Sequence, residues 1–300
     1  MRLLPDWVAK ALAALGLASA SAGAAPARVP ADPKPALWKV ADGDTTIYLF
    51  GTIHLLPLGT RWVSPTLERA ASESHGLVLE TLVDTADPAS LAATMKRLAT
   101  SPGLPPVLDR VPKEKRAALA TAIARSRMSP AALDGMETWA VALALLGPQF
   151  GAMDLKHQEG VEAKLRERFT AAGKPVGQLE TNEEQLRFFD RLPEAAQRAL
   201  LLGTLESPAV VRKQFGGMLS AWGRGDVAAI ARSFNAEMKG SPELADLLLK
   251  QRNANWTRWI ESRMTEPGTV MVAVGAGHLA GTHSVQAMLE KRGLKVTRVQ

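Results

Sequence analysis

The sequence predicts an α/β fold: one central mixed sheet built from both ends of the chain, with a large helical insertion. Three observations predict it. Apolar, β-branched runs lie near both ends and recur at 76–80 and 175–179. Residues 87–172 and 183–264 carry helical periodicity and capping signals instead. No internal repeat divides the chain, so the helical material reads as a subregion of one domain spanning 37–300.

The elements follow in order. Residues 1–25 read as an export signal. Arg2 supplies the positive start, an Ala- and Leu-rich stretch follows, and three overlapping A-x-A sites lie between Ala18 and Ala24. Residues 26–36 are rich in Pro and Ala without apolar period and read as a linker. Leu37–Val40 and Thr45–Phe50 flank Ala41-Asp-Gly-Asp44, the pattern of a β-hairpin. A short helix is expected over Pro65–Ser74 and a doubly buried strand over Gly76–Glu80. Helices are expected over Arg116–Arg127, over Ser129–Leu146 with Gly147-Pro148 as its stop, and over Gly160–Ala172. A strand at Pro175–Leu179 precedes further helices to about Met264, broken at Pro193, Ser207-Pro208, Gly223–Gly225 and Ser241-Pro242. The chain then closes with a strand over Thr269–Val274, a loop through His278, a helix over Ser284–Lys291 and a last strand over Leu294–Val299.

Composition excludes several classes of function. Hydrophobic residues make up 46% and charged ones 22%, which suits a soluble domain with a sizeable core. The net charge of +6 is spread over many helices, and one Tyr with seven Phe offers no basic, aromatic stripe, so nucleic acid is not an expected partner. Past the signal, no segment approaches the ~20 apolar residues of a membrane span. Absence of cysteine removes disulfides, thiolate nucleophiles and thiolate metal sites together. With the signal, this gives a periplasmic or secreted location as the expectation. No G-x-S-x-G, S-x-x-K, H-E-x-x-H or Walker pattern occurs. Gly275-Ala-Gly277-His-Leu-Ala-Gly281 imitates a dinucleotide loop, but its spacing is one residue too long and only one further strand follows.

Candidate chemistry stands at strand ends: His54, Glu80, Glu180 and His278. Strand ends in α/β sheets open into clefts, so side chains distant in sequence can converge there. Two imidazoles with one or two carboxylates suit a divalent ion such as Mn²⁺, Zn²⁺ or Co²⁺. Two of the five histidines share a strand-Gly-x-x-His setting, with Gly51 and Gly275 permitting close backbone approach; His75 and His157 read as surface residues. His283, five residues past His278, is a minor candidate. Arg252 and Asn253, adjacent polar residues on an otherwise apolar helix stripe, require partners if buried.

These residues carry a resemblance. Leu49-Phe-Gly-Thr-Ile-His-Leu-Leu-Pro57, Leu77-Val-Leu-Glu-Thr81, Gly160-Val-Glu162, Gly173-Lys-Pro-Val176, Gln178-Leu-Glu-Thr-Asn-Glu-Glu-Gln185, Gln251-Arg-Asn253 and Val274–Gly281 occur in order. In this the chain resembles the TraB/GumN family, whose animal relatives include the Tiki proteins, described as metal-dependent proteases. The resemblance covers about Leu37 to Val299. It implies a metal site at His54, His278 and Glu80, further polar roles for Glu180, Arg252 and Asn253, and glycine support at Gly51, Gly275, Gly277 and Gly281. Where the bacterial pattern often has an acidic residue after the second motif, this chain has His283. The expectation is an exported metal-dependent, peptidase-like hydrolase acting on peptide or protein. The alternative is a non-catalytic periplasmic binding or accessory protein concerned with haem or envelope polysaccharide.

Overall fold

The structure is a computed structural model that describes residues 30–82, 88–151, 153, 155–238 and 241–300. The expected signal segment lies outside the described residues, as does the first part of the linker. The rest of the linker is fastened down: Pro33, Pro35 and Ala36 are buried, and Lys34 N–H donates to the Gly223 carbonyl.

Strand β1 (Leu37–Ala41) and β2 (Thr45–Thr52) form the expected hairpin, pairing Leu37 with Phe50 and Ala41 with Thr46. Its turn is held by the Asp42 carboxylate, which accepts from Asp44 and Thr45 N–H. Gly43 takes no left-handed φ, so here a side-chain-capped turn replaces the glycine-dependent one. A two-residue strand β3 (Leu56–Pro57) pairs antiparallel with β5 (Leu155–Lys156), a small ladder with no sequence signal. The main sheet gains β4 (Gly76–Leu79), β6 (Val176–Gln178), β7 (Gly268–Gly275) and β8 (Val296–Arg298), in the order β6-β4-β7-β2-β1-β8. Strands β6, β4, β7 and β2 are mutually parallel, while β1 is antiparallel to both its neighbours.

Alternation sorts the core onto two faces. On one face Tyr48, Phe50, Leu77, Leu79, Met271 and Ala273 pack under the inserted helices, against residues such as Trp139, Phe169 and Trp222. On the other, Ile47, Leu49, Val78, Val270, Val272 and Val274 meet Trp256, Ile260 and Leu289 from the helices Arg252–Arg263 and Val285–Lys291. Fully burying one such aliphatic side chain contributes about 1.5–3 kcal/mol. A one-residue slip of β7 would exchange the two faces, so its register is strongly fixed.

The helices begin where Ser-Pro pairs predict. Ser64, Ser129 and Ser207 each accept from the N–H three residues on, with proline in the first turn. Gly173, at φ +68°, closes the helix Val161–Ala171. One expected helix divides: 129–146 becomes Pro130–Asp134 and Thr138–Gly151. The buried guanidinium of Arg110 stabilises the break by donating to the Asp134 and Met136 carbonyls. Nor does Gly147-Pro148 stop the second piece. Trp139 through Val141 and Leu145 and Leu146 are buried, and Pro148 in the closing turns forfeits a single backbone bond. Immediately before Arg252 the helix widens into a π-turn over Asp246–Gln251, which periodicity did not announce. Among the described residues no helix is long and apolar enough to cross a membrane.

Candidate functional site

Parallel pairing of β6, β4, β7 and β2 puts their carboxyl ends on one edge of the sheet. His54 follows β2, Glu80 follows β4, Glu180 follows β6 and His278 follows β7. The chain makes β2, then β4 and β6, and only later inserts β7 between β4 and β2. That is a topological switch point, where the connections diverge and leave a crevice. Two further ladder bonds, Leu179 N–H to Leu79 O and Glu180 N–H to Glu80 O, both 2.9 Å, bring the two carboxylates side by side. Thr181 and Glu184 form a capping box at the next helix start, so Glu180 is not spent on capping.

Arg252 is the centre of the cluster. Its Nη2 donates to Glu80 Oε2 at 2.7 Å and to Glu180 Oε1, and its Nε donates to Glu180 Oε2 at 3.1 Å. Gln185 Nε2 adds a bond of 3.2 Å to Glu180 Oε1 and a long one of 3.5 Å to Glu80 Oε2. The guanidinium also stacks on Trp256, 4.8 Å from the ring centre. Two buried carboxylates around one cation cannot both be fully compensated. Burial raises the Glu180 carboxyl above its ordinary range despite Arg252, with Glu80 adding to the rise. Burial also opposes ionisation of Glu80, but Arg252, His278, His54 and the Gly275 N–H together hold it down to about 2. The same carboxylates hold Arg252 firmly protonated against its own burial.

Both imidazoles are anchored through Nδ1. His278 Nδ1 lies 2.6 Å from Asn253 Oδ1, and Asn253 Nδ2 donates to the carbonyls of His283 (2.7 Å) and His278 (3.3 Å). With its amide group so used, Asn253 offers oxygen to the ring, which assigns the His278 proton to Nδ1. The bare Nε2 then accepts from Arg252 Nη1 at 3.2 Å and stands 3.9 Å from Glu80 Oε1. Burial, reinforced by Arg252 and His54 and opposed by Glu80, pushes His278 down to about 3, so the ring is neutral. His54 differs: its Nδ1 meets Glu162 Oε1 at 2.6 Å. Burial lowers its pKa, but the Glu162 charge and hydrogen bond outweigh that and leave it raised.

Gly275 lies among these groups. An added Cβ would stand 3.1 Å from Glu80 Oε1, 3.7 Å from His278 Cδ2 and 3.8 Å from His54 Nε2, and Gly275 N–H donates to Glu80 Oε1 at 2.6 Å. The missing side chain thus leaves a cradle edged by two rings and a carboxylate. Gly51 permits a second close approach, since a Cβ there would meet Ala276 Cα at 3.2 Å. Gly277 is buried in the short 3₁₀ turn Ala276–Leu279, and Gly281 takes φ +84°. The chemistry of the donor set, two imidazole nitrogens and a carboxylate oxygen, fits a divalent ion. As they stand, however, no three His or acidic residues among the described ones are arranged as a metal-holding group, and Arg252 already engages the His278 lone pair.

The structure therefore brings His54, Glu80, Glu180, Arg252, Asn253 and His278 together. His283 takes part through its carbonyl, and its side chain is exposed. His75 is exposed as expected, whereas His157 is half-buried and close enough to His54 for that ring to lower its pKa, after burial. Arg252, which requires partners if buried, has them: Nε and both terminal nitrogens are engaged. Sequence reasoning did not assign roles to Glu162 and Gln185; both sit inside quoted segments, Gly160-Val-Glu162 and Gln178–Gln185, and that was their only signal.

A family model described as TraB/PrgY/gumN family matches residues 36–298. The chain is 26% identical over 264 residues to the protein named uncharacterized protein YbaP of Escherichia coli (strain K12), covering 85% of this chain and 92% of that protein. The namesake of Shigella flexneri matches with the same identity and coverage. No solved structure matches the chain. The family match runs from the residue before β1 to the last residue of β8 and so takes in the whole sheet and every strand-end residue above: the chain belongs to the TraB/PrgY/gumN family.

Proposed function

We propose that the chain is an exported, metal-dependent, peptidase-like hydrolase in which His54, His278 and Glu80 hold a divalent ion. One observation carries the reading: two rings, each anchored at Nδ1, and one carboxylate edge the cradle left by the missing side chain of Gly275. Mn²⁺, Zn²⁺ or Co²⁺ bound there would supply an acidified water as nucleophile. The chain's own residues set the stage. Asn253 fixes the His278 tautomer with Nε2 bare. Arg252 keeps Glu80 ionised and in place. Glu180, whose carboxyl is raised by burial, is suited to proton transfer. For ligation by His278, Arg252 Nη1 must give up its bond to Nε2, a shift that leaves its bonds to the carboxylates available. Export rests on the A-x-A sites before residue 25.

The test is metal content and peptide turnover of the purified mature protein beside His54→Ala and His278→Ala. Loss of the ion and of turnover in both variants is expected. Unchanged metal occupancy in both rejects the site. The non-catalytic reading, a periplasmic binding or accessory protein, has one observation in its favour: Arg252 already supplies the carboxylates with a cation. It predicts a wild-type protein that takes up no ion from a Mn²⁺, Zn²⁺ or Co²⁺ solution and loses nothing to a chelator. Its haem form requires a sharp visible band on haem titration, and the packing of His278 against Trp256, ring centres 4.4 Å apart, weighs against it.

A further inference from the structure

Glu162 stands apart from the four strand-end residues, in the first turn of the helix Val161–Ala171. The bland account is a helix-dipole carboxylate. Four contacts argue for more. Glu162 Oε1 meets His54 Nδ1 at 2.6 Å and also accepts from the Thr52 hydroxyl. The helix start is independently stapled to the His54 turn, because Val161 N–H donates to the Ile53 carbonyl at 3.0 Å. Gly160 packs so closely on the same turn that a Cβ would lie 2.0 Å from the His54 carbonyl oxygen. Meanwhile Glu162 Oε2 is buried without a hydrogen-bond partner. A helix-dipole carboxylate has no reason to be drawn out of water in this way, and the desolvation must be offset through the other oxygen.

An imidazole that is to hold an ion or accept a proton must keep one nitrogen bare, and the hydrogen bond at the other nitrogen decides which. We infer that Glu162 is a positioning residue whose carboxylate keeps the His54 proton on Nδ1, and so keeps Nε2 bare and turned to Gly275 and Glu80. Asn253 does the same for His278 from the opposite side of the cradle. The two supports differ in charge: an anion behind His54, a neutral amide behind His278. The inference deepens the hydrolase reading and rests on it only for its consequence in turnover.

The experiment reads the tautomer directly. Heteronuclear correlation of isotope-labelled imidazole nitrogens is recorded on the metal-free full chain, at a pH above the imidazolium titration. The wild type is expected to show His54 protonated at Nδ1 and bare at Nε2. In Glu162→Leu that preference is expected to give way to a mixture of tautomers, while the His278 signals keep their Nδ1–H pattern. Turnover or ion affinity is expected to fall by about 10–100-fold in that variant. A wild-type His54 protonated at Nε2 overturns the inference without any variant, which covers the case of Glu162→Leu failing to fold. So does a folded Glu162→Leu with the wild-type tautomer. A chain with the expected tautomer but no metal and no turnover separates the two readings, because positioning then stands and the hydrolase falls.

Discussion

Replacing Arg252 with methionine removes the one cation shared by Glu80 and Glu180 while keeping most of its volume, and the structure sets the size of the effect. The Arg252 side chain is 9% exposed and each carboxylate 6%. Deleting one partner of a buried pair costs about 3–5 kcal/mol, since the other partner is left buried and uncompensated. Two carboxylates are stranded here, but one can take up a proton, which keeps the loss inside that range. A chain of this size loses roughly 2 °C per kcal/mol, so the melting temperature is expected to fall by about 6–10 °C. Arg97→Met is the control. Arg97 and Glu183 are 51% and 40% exposed, and a pair so open to solvent contributes little to stability. The pH dependence has a definite sign. Glu80 is depressed to about 2 in the folded chain, so its stabilisation is complete above the ordinary glutamate range and is lost as pH falls towards 2. Without Arg252 the main cause of that depression is gone, so variant and wild type converge in acid. Thermal melts followed by circular dichroism across this pH range make the measurement. A variant melting within about 1 °C of wild type at neutral pH, against the several degrees expected, or a gap that widens in acid, would falsify the account of Arg252 as the clamp.

Gly275→Ala tests the cradle: φ −49° and ψ 134° suit any residue, so the melt should barely move while a Cβ 3.1 Å from Glu80 Oε1 lowers divalent-ion affinity about 10-fold. Calorimetric titration giving wild-type affinity would remove that role for the glycine. Asn253→Leu strands the His278 ring and two carbonyls. It is expected to cost about 1–3 kcal/mol in denaturant unfolding, and a loss under about 0.5 kcal/mol counts against the anchor. Tyr48, the one tyrosine of the chain, donates to Glu73 Oε2 at 2.7 Å, and burial followed by that bond raises its phenol to about 12. Its neutral form is thus favoured by folding, so stability is complete below the unfolded phenol value near 10 and declines as pH rises through about 12. Ultraviolet titration of the native chain should place the single phenolate transition well above 10; an ordinary midpoint sinks this reading.

The sheet was legible because its strands announce themselves twice, by β-branched alternation and by the polar residue that ends each run. Val270, Val272 and Val274 alternate with Met271 and Ala273, and the structure separates them onto opposite faces. Strand order was not legible. Nothing local in Thr269–Val274 says that it enters between β4 and β2, because the decision is made by burial on both faces once the other strands exist. The same limit explains Glu162. Its helix looks like any amphipathic surface helix, and only the long-range staple from Gly160 and Val161 to the His54 turn gives the carboxylate its partner. The demand that buried polar groups find partners marks Arg252 in the sequence, but its partners, Glu80 and Glu180, come from strand ends far away in the chain. The helix broken at Gly135 was missed because its capping guanidinium, Arg110, lies outside the local window.

The order in which the chain lays down its strands has a consequence for the site. His54, Glu80, Glu162 and Glu180 all precede residue 190, and Arg252, Asn253, Gly275 and His278 all follow 250. Until β7 is in place, β2 and β4 are separated by the width of a missing strand, and neither His54 nor Glu80 has its later partners. The strand that closes the sheet is therefore also the one that completes the cluster. Gly275, the last residue of β7, pairs with Thr52 and donates its N–H to Glu80, joining both neighbours of the new strand. The cost of bringing Glu80 and Glu180 together is offset chiefly by Arg252, on the helix that covers the same strands. An incompletely closed chain would hold two adjacent carboxylates without their cation, and their repulsion makes that state a poor competitor of the native one.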